Sequence, residues 1–413
     1  MAVPSAFAST MRPLLFLFAV LLLLVALPAG AVRARTSAPQ TPRFPILAWI
    51  GPPAAETSVE RYRELANAGF THNFSGFPNV EAMAIALDVA HNAGILQFVS
   101  LPELAADPEG VVARFKQHPA LAGYHLRDEP SSKDFPALAT WVKRIQAVDR
   151  EHPCYINLFP TYASSEQLGS PTYREHLDTF LRDVPVPFLS YDHYPIVGDR
   201  LRGDYYENLE QAAAAAQARN VPLWAFVLAT AHDPYPIPTP AHLRLQAFSD
   251  LAYGAQCIQY FTYWTPESTV WNFHQGPIEK DGKRTPTYDR VRQMNAEIQA
   301  LAPHFLGAKL IRTGHTGSLP RGTREYAPEA PVAAVDTSDG GALVSLLEQG
   351  ADRVLAVVNR DFQKPLSVTV RFDGSRRVAR FGRDGKRARV RGRRVPVELE
   401  PGDIAVFRWP RDE

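Results

Sequence analysis

The sequence predicts an α/β fold, a (β/α)8 TIM barrel followed by a C-terminal antiparallel β-sandwich, on three observations. From Phe44 onward, eight short β-rich apolar runs alternate with eight helical patterns; over roughly 260 residues this is the arithmetic of a closed parallel barrel. The runs LWAFVLA (223–229) and IQYFTYW (258–264) are continuously apolar, as strands covered on both faces must be. After Gly307 the helical patterns stop, and short alternating runs separated by turn signals take over, the mark of an antiparallel sandwich.

In order, the expected barrel strands are Phe44–Ile50, Phe70–Phe74, Leu96–Leu101, Ala120–Leu126, Cys154–Phe159, Phe188–Tyr191, Pro222–Leu228 and Cys257–Tyr263. The helices between and after them are expected at Val59–Ala68, Val80–Ala93, Val111–Gln117, Phe135–Val148, Arg174–Leu181, Tyr206–Arg219, Pro240–Tyr253 and Tyr288–Ala302. An open doubly wound sheet is the competing arrangement, but it wants a Gly-rich phosphate turn after its first strand. Here that turn is Gly51-Pro52-Pro53, which offers few backbone donors. Sandwich strands are expected at Ala342–Leu347, Arg353–Asn359, Leu366–Phe372, Ala388–Arg391, Val395–Leu399 and Ile404–Trp409. Residues 371–394 carry eleven Lys/Arg against two Asp, a solvated strand face or a contact for an anionic polymer.

Residues 14–27 are fourteen consecutive apolar residues behind Arg12, followed by Ala29-Gly30-Ala31. That is a secretory leader, too short for the ~20 residues of a membrane span. The expected organisation is a leader over 1–34, a barrel over 35–307 and a sandwich over 308–413, with the mature protein periplasmic or secreted and not stably inserted in a membrane. The net charge of +1 gives no global field for nucleic acid. Two cysteines, Cys154 and Cys257, exclude a disulfide scaffold; they fall on non-adjacent strands and are expected to be buried free thiols.

Barrel chemistry sits at the C-terminal ends of the strands. Those ends carry Trp49, Asn73, Asp128 and Glu129, Asn157, then Tyr191-Asp192-His193-Tyr194, His232-Asp233, and Tyr263-Trp264 with Glu267. Few such groups could be buried cheaply without a role. Flat aromatic faces interleaved with Asn, Asp and His suit a sugar ring, which has an apolar C–H face and a belt of hydroxyls. The expected partner is an oligo- or polysaccharide. No metal-ligand spacing appears; no metal and no cofactor are expected. A metal-dependent lyase or hydrolase would require His193 and His232 to meet in space.

The segment Gly123-Tyr124-His125-Leu126-Arg127-Asp128-Glu129-Pro130 resembles the strand-4 acid/base motif of clan-A barrel glycoside hydrolases. The layout of strands 5, 6 and 8, with Trp264 closing strand 8, is similar to theirs too. The resemblance covers roughly residues 44–305 and implies Glu129 as general acid/base, with Trp49, Asn73, Asn157, Tyr191, His193, Tyr194, His232, Tyr263, Trp264 and Glu267 around the substrate. A carboxyl next to Asp128 among aromatics should keep its proton to higher pH, as a proton donor requires. The chain departs from the clan at strand 7, which reads Leu223–Thr230 without the expected nucleophilic Glu. Three alternatives stay open. Asp192, Asp233 or Glu267 supplies the second carboxylate; or the substrate's 2-acetamido group acts instead, since the Asp128-Glu129 pair also resembles that of substrate-assisted hexosaminidases, with Tyr263 as an acetamide contact; or the cleft binds sugar without cleaving it.

Overall fold

A computed structural model describes residues 43–374 and 377–411; the leader expected over 1–34 lies outside the described residues. Eight parallel strands close into a barrel: β1 (Ile46–Trp49), β2 (His72–Phe74), β3 (Leu96–Val99), β4 (Leu121–Asp128), β5 (Cys154–Leu158), β6 (Leu189–Tyr191), then β9 (Leu223–Leu228) and β10 (Ala255–Phe261). Between β6 and β9 a two-stranded ribbon intervenes, β7 (Ile196–Val197) with β8 (Arg200–Leu201). The order around the barrel is β1-β10-β9-β6-β5-β4-β3-β2. The helices are α1 (Val59–Asn67), α2 (Val80–Ala93), α3 (Glu103–Ala106), α4 (Pro108–Phe115), α5 (Phe135–Val148), α6 (Ser165–Leu168), α7 (Tyr173–Asp183), α8 (Tyr205–Arg219), α9 (Pro240–Ala252) and α10 (Pro286–Phe305).

Strand alternation divides the barrel's apolar residues between two cores. In β9, Leu223, Ala225 and Val227 pack toward the helices, whereas Phe226 and Leu228 belong to the barrel interior with Trp224 against them. Likewise Ile46 and Ala48 face out while Leu47 and Trp49 face in. Both faces are covered, which is why these runs read as continuously apolar. Cys257 belongs to the interior cluster and Cys154 to the outer one, and both thiols are buried and free.

Several helices begin where a capping residue precedes proline. Asp107, Thr239 and Thr285 each accept a backbone N–H from the first turn, and Pro108, Pro240 and Pro286 follow at the first helical position, where a missing N–H costs nothing. This moves the starts of α4 and α10 ahead of the apolar periodicity, which alone places them at Val111 and Tyr288.

The C-terminal strands are β11 (Lys309–His315), β12 (Val332–Thr337), β13 (Ala342–Gln349), β14 (Asp352–Asn359), β15 (Leu366–Phe372), β16 (Ala379–Gly382), β17 (Arg387–Arg389), β18 (Arg394–Leu399) and β19 (Ile404–Pro410). They form two antiparallel sheets, one of six strands ordered β11-β13-β14-β19-β16-β17 and one of three ordered β12-β15-β18. Three of these strands, β11, β12 and β16, are absent from the sequence reading: β11 and β16 carry few consecutive apolar residues, and the short run of β12 is half alanine. The central strands of the larger sheet are buried on both faces. Leu347, Val354, Ala356 and Val406 join the barrel's outer core, while Leu346, Leu355, Val357 and Phe407 meet Val368, Val370 and Phe372 of the smaller sheet. Gly402, at φ 70°, lies against α9 so closely that a Cβ would come 2.6 Å from the Ala241 carbonyl oxygen. The described residues from Arg43 onward accordingly cluster as one compact unit. In the basic run, Arg387 and Arg389 stand exposed on edge strand β17, and Arg391, Arg393 and Arg394 are exposed beside them. Among the described residues, no helix is long and apolar enough to cross a membrane.

Because the sheets and the barrel share a core, Leu347→Ala, at a fully buried position, should cost about 2–5 kcal/mol. Denaturant titration should show one transition shifted for the whole chain. Loss of a separate C-terminal transition, with the barrel unaffected, would contradict the shared core.

Candidate active site

β4 is the longest barrel strand and delivers the acid pair. Its register against β5 slips between His125 and Arg127, and an extra residue of this kind bends a strand and re-aims the side chains beyond it. Glu129 then adopts φ 44°, a left-handed conformation that costs a non-glycine residue about 1–3 kcal/mol. Its N–H donates to the Asn157 carbonyl at 2.8 Å, so β5 holds the turn in place. Strain at such a point is a mark of functional placement.

The turn opens onto a cavity of about 390 Å³ at the C-terminal ends of the strands, lined by Trp49, Asp128, Glu129, Asn157, Tyr162, Asp192, Tyr194, Phe226, His232, Tyr235, Phe261, Trp271 and Phe273. The three acids come from β4 and the end of β6. In the closed order β10 lies directly across from β4, flanked by β1 and β9, and that side is aromatic. Trp49 packs against Phe226 at 5.8 Å and Phe261 at 6.1 Å, and Tyr194 against Phe261 at 5.5 Å. At the rim, Arg202, just past β8, lies 4.2 Å over the Tyr162 ring and donates to the Tyr235 hydroxyl at 3.1 Å. The ribbon β7–β8 thus fixes two of the lining rings.

A hydrogen-bonded chain beneath the cavity sets the orientation of Asn157. Tyr155 Oη donates to Gln259 Oε1 (2.5 Å), Gln259 Nε2 to Ser190 Oγ (2.9 Å), and Ser190 Oγ to Asn157 Oδ1 (2.8 Å). The amide nitrogen of Asn157 is left as donor, to Asp128 Oδ1 at 3.1 Å and to Asp192 Oδ1 at 2.9 Å. All four members of the chain are buried, where an unmade hydrogen bond is costly. Two carboxyls therefore share one neutral donor.

Burial, and then the Glu129 and Asp128 carboxyls, raise Asp192 well above its ordinary range. Burial also raises Asp128, against the pull of the Asn157 hydrogen bond. Asp128 has solvent access through the cavity mouth while protein surrounds it on the other sides. Glu129 is raised to about 7, first by burial and second by the neighbouring Asp128 charge. Its carboxyl keeps a proton at pH values where an exposed glutamate has lost it. Among the described residues Arg127 forms no ion pair with either acid. His232 is lowered by burial, and its Nδ1 donates to the Thr230 carbonyl at 3.2 Å, leaving Nε2 unprotonated in the neutral ring.

The structure brings Trp49, Asp128, Glu129, Asn157, Asp192, Tyr194 and His232 together on the cavity wall; other strand-end residues fall elsewhere. Along the segment after β6, Asp192 and Tyr194 line the cavity while Tyr191 packs in the outer core and His193 contacts Tyr162, Tyr205 and Asp204. Alternation alone accounts for that division. His193 and His232 thus have separate surroundings, and among the described residues no cluster of His, Cys, Asp and Glu could hold a metal ion. Asn73 does not line the cavity: it is fully buried on the helix-facing side of β2, bonded to Gln97 Oε1 at 2.7 Å and Tyr62 Oη at 3.3 Å, and it fills the space where a Cβ on Gly51 would sit. Tyr263 and Trp264 lie in the outer core, Tyr263 against Phe70 and Trp264 beneath the Arg61 guanidinium. Asp233 pairs with Asn272, and Glu267 is solvent-exposed, 3.8 Å from Lys280; neither lines the cavity.

Tyr162, Phe226, Tyr235, Phe261 and Phe273 line the cavity without having been singled out as site residues. Phe226 and Phe261 were legible by strand parity. Tyr162, Tyr235 and Phe273 come from loops, whose path no periodicity encodes. Trp271, which also lines the cavity, is half exposed on a loop where Ser268 Oγ accepts its backbone N–H.

Residues 142–301 match a glycoside hydrolase family, family 42, described as beta-galactosidase; the match supports a glycoside hydrolase. No curated protein matches the chain. Among solved structures, the chain is similar to the beta-galactosidase of Bacillus circulans sp. alkalophilus, at 9% identity and a TM-score of 0.61, covering 90% of this chain and 99% of that one. It is also similar to an Anoxybacillus alpha-amylase, at 10% identity and a TM-score of 0.51, covering 89% and 98%. The beta-galactosidase of the psychrophilic Marinomonas ef1 matches at 12% identity and a TM-score of 0.47 over 62% of this chain; the chain spans 60% of that protein's length. At these identities the likeness is one of fold.

The raised carboxyl has a thermodynamic consequence. Glu129 titrates near 7 when folded against 4.5 for an ordinary glutamate, so the folded state binds its proton more tightly and stability falls as pH rises between those values. Glu129→Gln removes this loss. The variant should be more stable than the parent at pH 8, with the difference narrowing toward pH 4.5, as read by urea denaturation at each pH. An equal stability difference at both pH values would contradict the raised carboxyl.

Proposed function

We propose that the protein hydrolyses O-glycosidic bonds of an oligo- or polysaccharide, with Glu129 as general acid and then general base. The observation that carries this reading is a carboxyl holding its proton to about pH 7 on the wall of an aromatic-lined cavity. Protonated Glu129 gives its proton to the glycosidic oxygen as the C–O bond breaks and the Asp192 carboxylate bonds to the anomeric carbon; the Glu129 carboxylate then takes a proton from the water that displaces Asp192. Trp49 and the phenylalanines receive the apolar face of the sugar. Asp128 and His232 meet its hydroxyls, with Asp128 sustaining the Glu129 proton. The family match over residues 142–301 supports the reaction class.

A second reading of the nucleophile has its own observation. Hydrolysis with two carboxylates needs the second one placed across the sugar from the acid, yet the side facing β4 carries Trp49, Phe226 and Phe261. Asp192, two strands from β4, is raised by burial and is therefore a weak nucleophile or base in the free enzyme. In this reading the substrate's 2-acetamido oxygen attacks the anomeric carbon. Ionised Asp128 orients the acetamide by accepting its N–H, and Glu129 protonates the leaving group.

The proposal extends to location. The apolar run at 14–27 directs export to the periplasm or medium, with cleavage after Ala31 or Ala34. Intact-mass analysis of protein recovered from its native host should show the shortened chain; a mature protein that retains the run would contradict export.

Glu129→Gln should lower kcat/KM for unactivated glycosides by at least ~10². Unchanged rates would remove Glu129 from proton transfer, and absence of turnover across a broad glycan panel would leave a carbohydrate-binding barrel. For the second reading, a 2-acetamido glycoside should be turned over at least ~10²-fold faster than its 2-hydroxy counterpart. Equal rates would assign the nucleophile to the protein or to water.

A further inference from the structure

A second cavity, of about 760 Å³, opens at the same end of the barrel on the other side of the β4 terminus. Its wall is built by the loops after β1, β2 and β3, by Trp141 of α5, and by His125, Leu126 and Arg127 of β4. His125 stands between the two cavities. Its ring lies 4.2 Å from Phe74 and 6.0 Å from Trp49, and Trp49 lines the first cavity. Successive residues of one strand end thus face two chambers, 125–127 one and 128–129 the other. A general acid at Glu129 must reach the oxygen between the sugar it cleaves and the group that leaves, so the two chambers are placed to hold those two parts.

Apart from Arg127, the wall of the second cavity is apolar or neutral. It includes Phe77, Pro78, Leu101, Pro102 and Trp141, and no carboxylate lines it. Arg127 is exposed and, among the described residues, makes no hydrogen bond or ion pair through its guanidinium. His125 is kept neutral by burial, and its buried Nε2 has no hydrogen-bond partner. The charge of Arg127 acts on the neighbouring Asp128 carboxyl, but with no hydrogen bond made its fork of donors stays open to a planar oxyanion.

We propose that the second cavity is the leaving-group subsite and that Arg127 selects there for a sugar bearing an oxyanion, a uronate or a sulfate ester. The assignment to the leaving group rests on Glu129 as the proton donor; the selection for an anion rests on Arg127 and the cavity wall alone. The substrate would then be a heteropolysaccharide with an acidic residue on the reducing-end side of the scissile bond.

The test is binding, read without turnover, of D-glucuronate, D-glucose 6-sulfate and D-glucose to the full-length protein by ligand-observed NMR at low salt. At least one of the two anions should bind roughly tenfold more tightly than glucose, a difference of about 1.4 kcal/mol, and the tighter one names the oxyanion. Arg127→Gln should abolish that preference and Arg127→Lys should keep part of it, with unchanged circular dichroism showing that the variants fold. Equal binding of all three sugars, or a preference that survives Arg127→Gln, would overturn the proposal. Failure of Glu129 as acid would instead appear in the hydrolysis assays and leave these affinities as they are.

Discussion

The site depends on one buried amide. Asn157 donates the same nitrogen to Asp128 and to Asp192, and its own carbonyl is committed to Ser190 through a chain that ends at Tyr155. A neutral donor brings the two carboxyls close together without the charge an arginine would supply, so burial outweighs its hydrogen bonds and both acids hold their protons above the ordinary range. Glu129 comes next in the chain and adds its own carboxyl to the group, with its backbone tied to the same Asn157. The cost of gathering three acids is borne by the fold, which explains why the supporting chain lies inside the barrel, where side chains are packed most tightly.

Much of this was legible in the sequence because strands impose parity. The barrel follows from eight apolar runs and the helices between them, and the acid pair from its position at the end of the fourth. Past the end of β6 the side chains go on alternating, Asp192 and Tyr194 to the cavity and Tyr191 and His193 away from it, so the sequence reading that put all four around the substrate is half right. Prediction lost accuracy beyond strand ends. Tyr263 and Trp264 come just after β10 yet pack on the outer side, because the chain has already left the strand. Tyr162 and Tyr235 enter from loops held by Arg202, a contact between residues distant in sequence. The small strands β11, β12 and β16 depend on pairing with neighbours and carry little pattern of their own.

The side of the cavity that faces the acids is aromatic. Strand β9 spends its inward positions on Trp224, Phe226 and Leu228, all of them committed to filling the barrel interior. A carboxylate there would be buried among rings with no partner. The same packing that makes β9 a good barrel strand therefore excludes it as the source of a nucleophile, and it concentrates the acids on β4 and β6. Glu129 and the two aspartates are on one side of the cavity, and aromatic faces of a kind that suits a sugar's C–H face are on the other.

The most direct measurement of this arrangement is a side-chain carboxyl titration of Glu129 by carbon-13 NMR, assigned by comparison with Glu129→Gln. The account predicts a midpoint near 7 that falls when Asp128 is replaced by asparagine, since one of its two causes is then removed. A midpoint in the ordinary glutamate range, indifferent to Asp128, would contradict it.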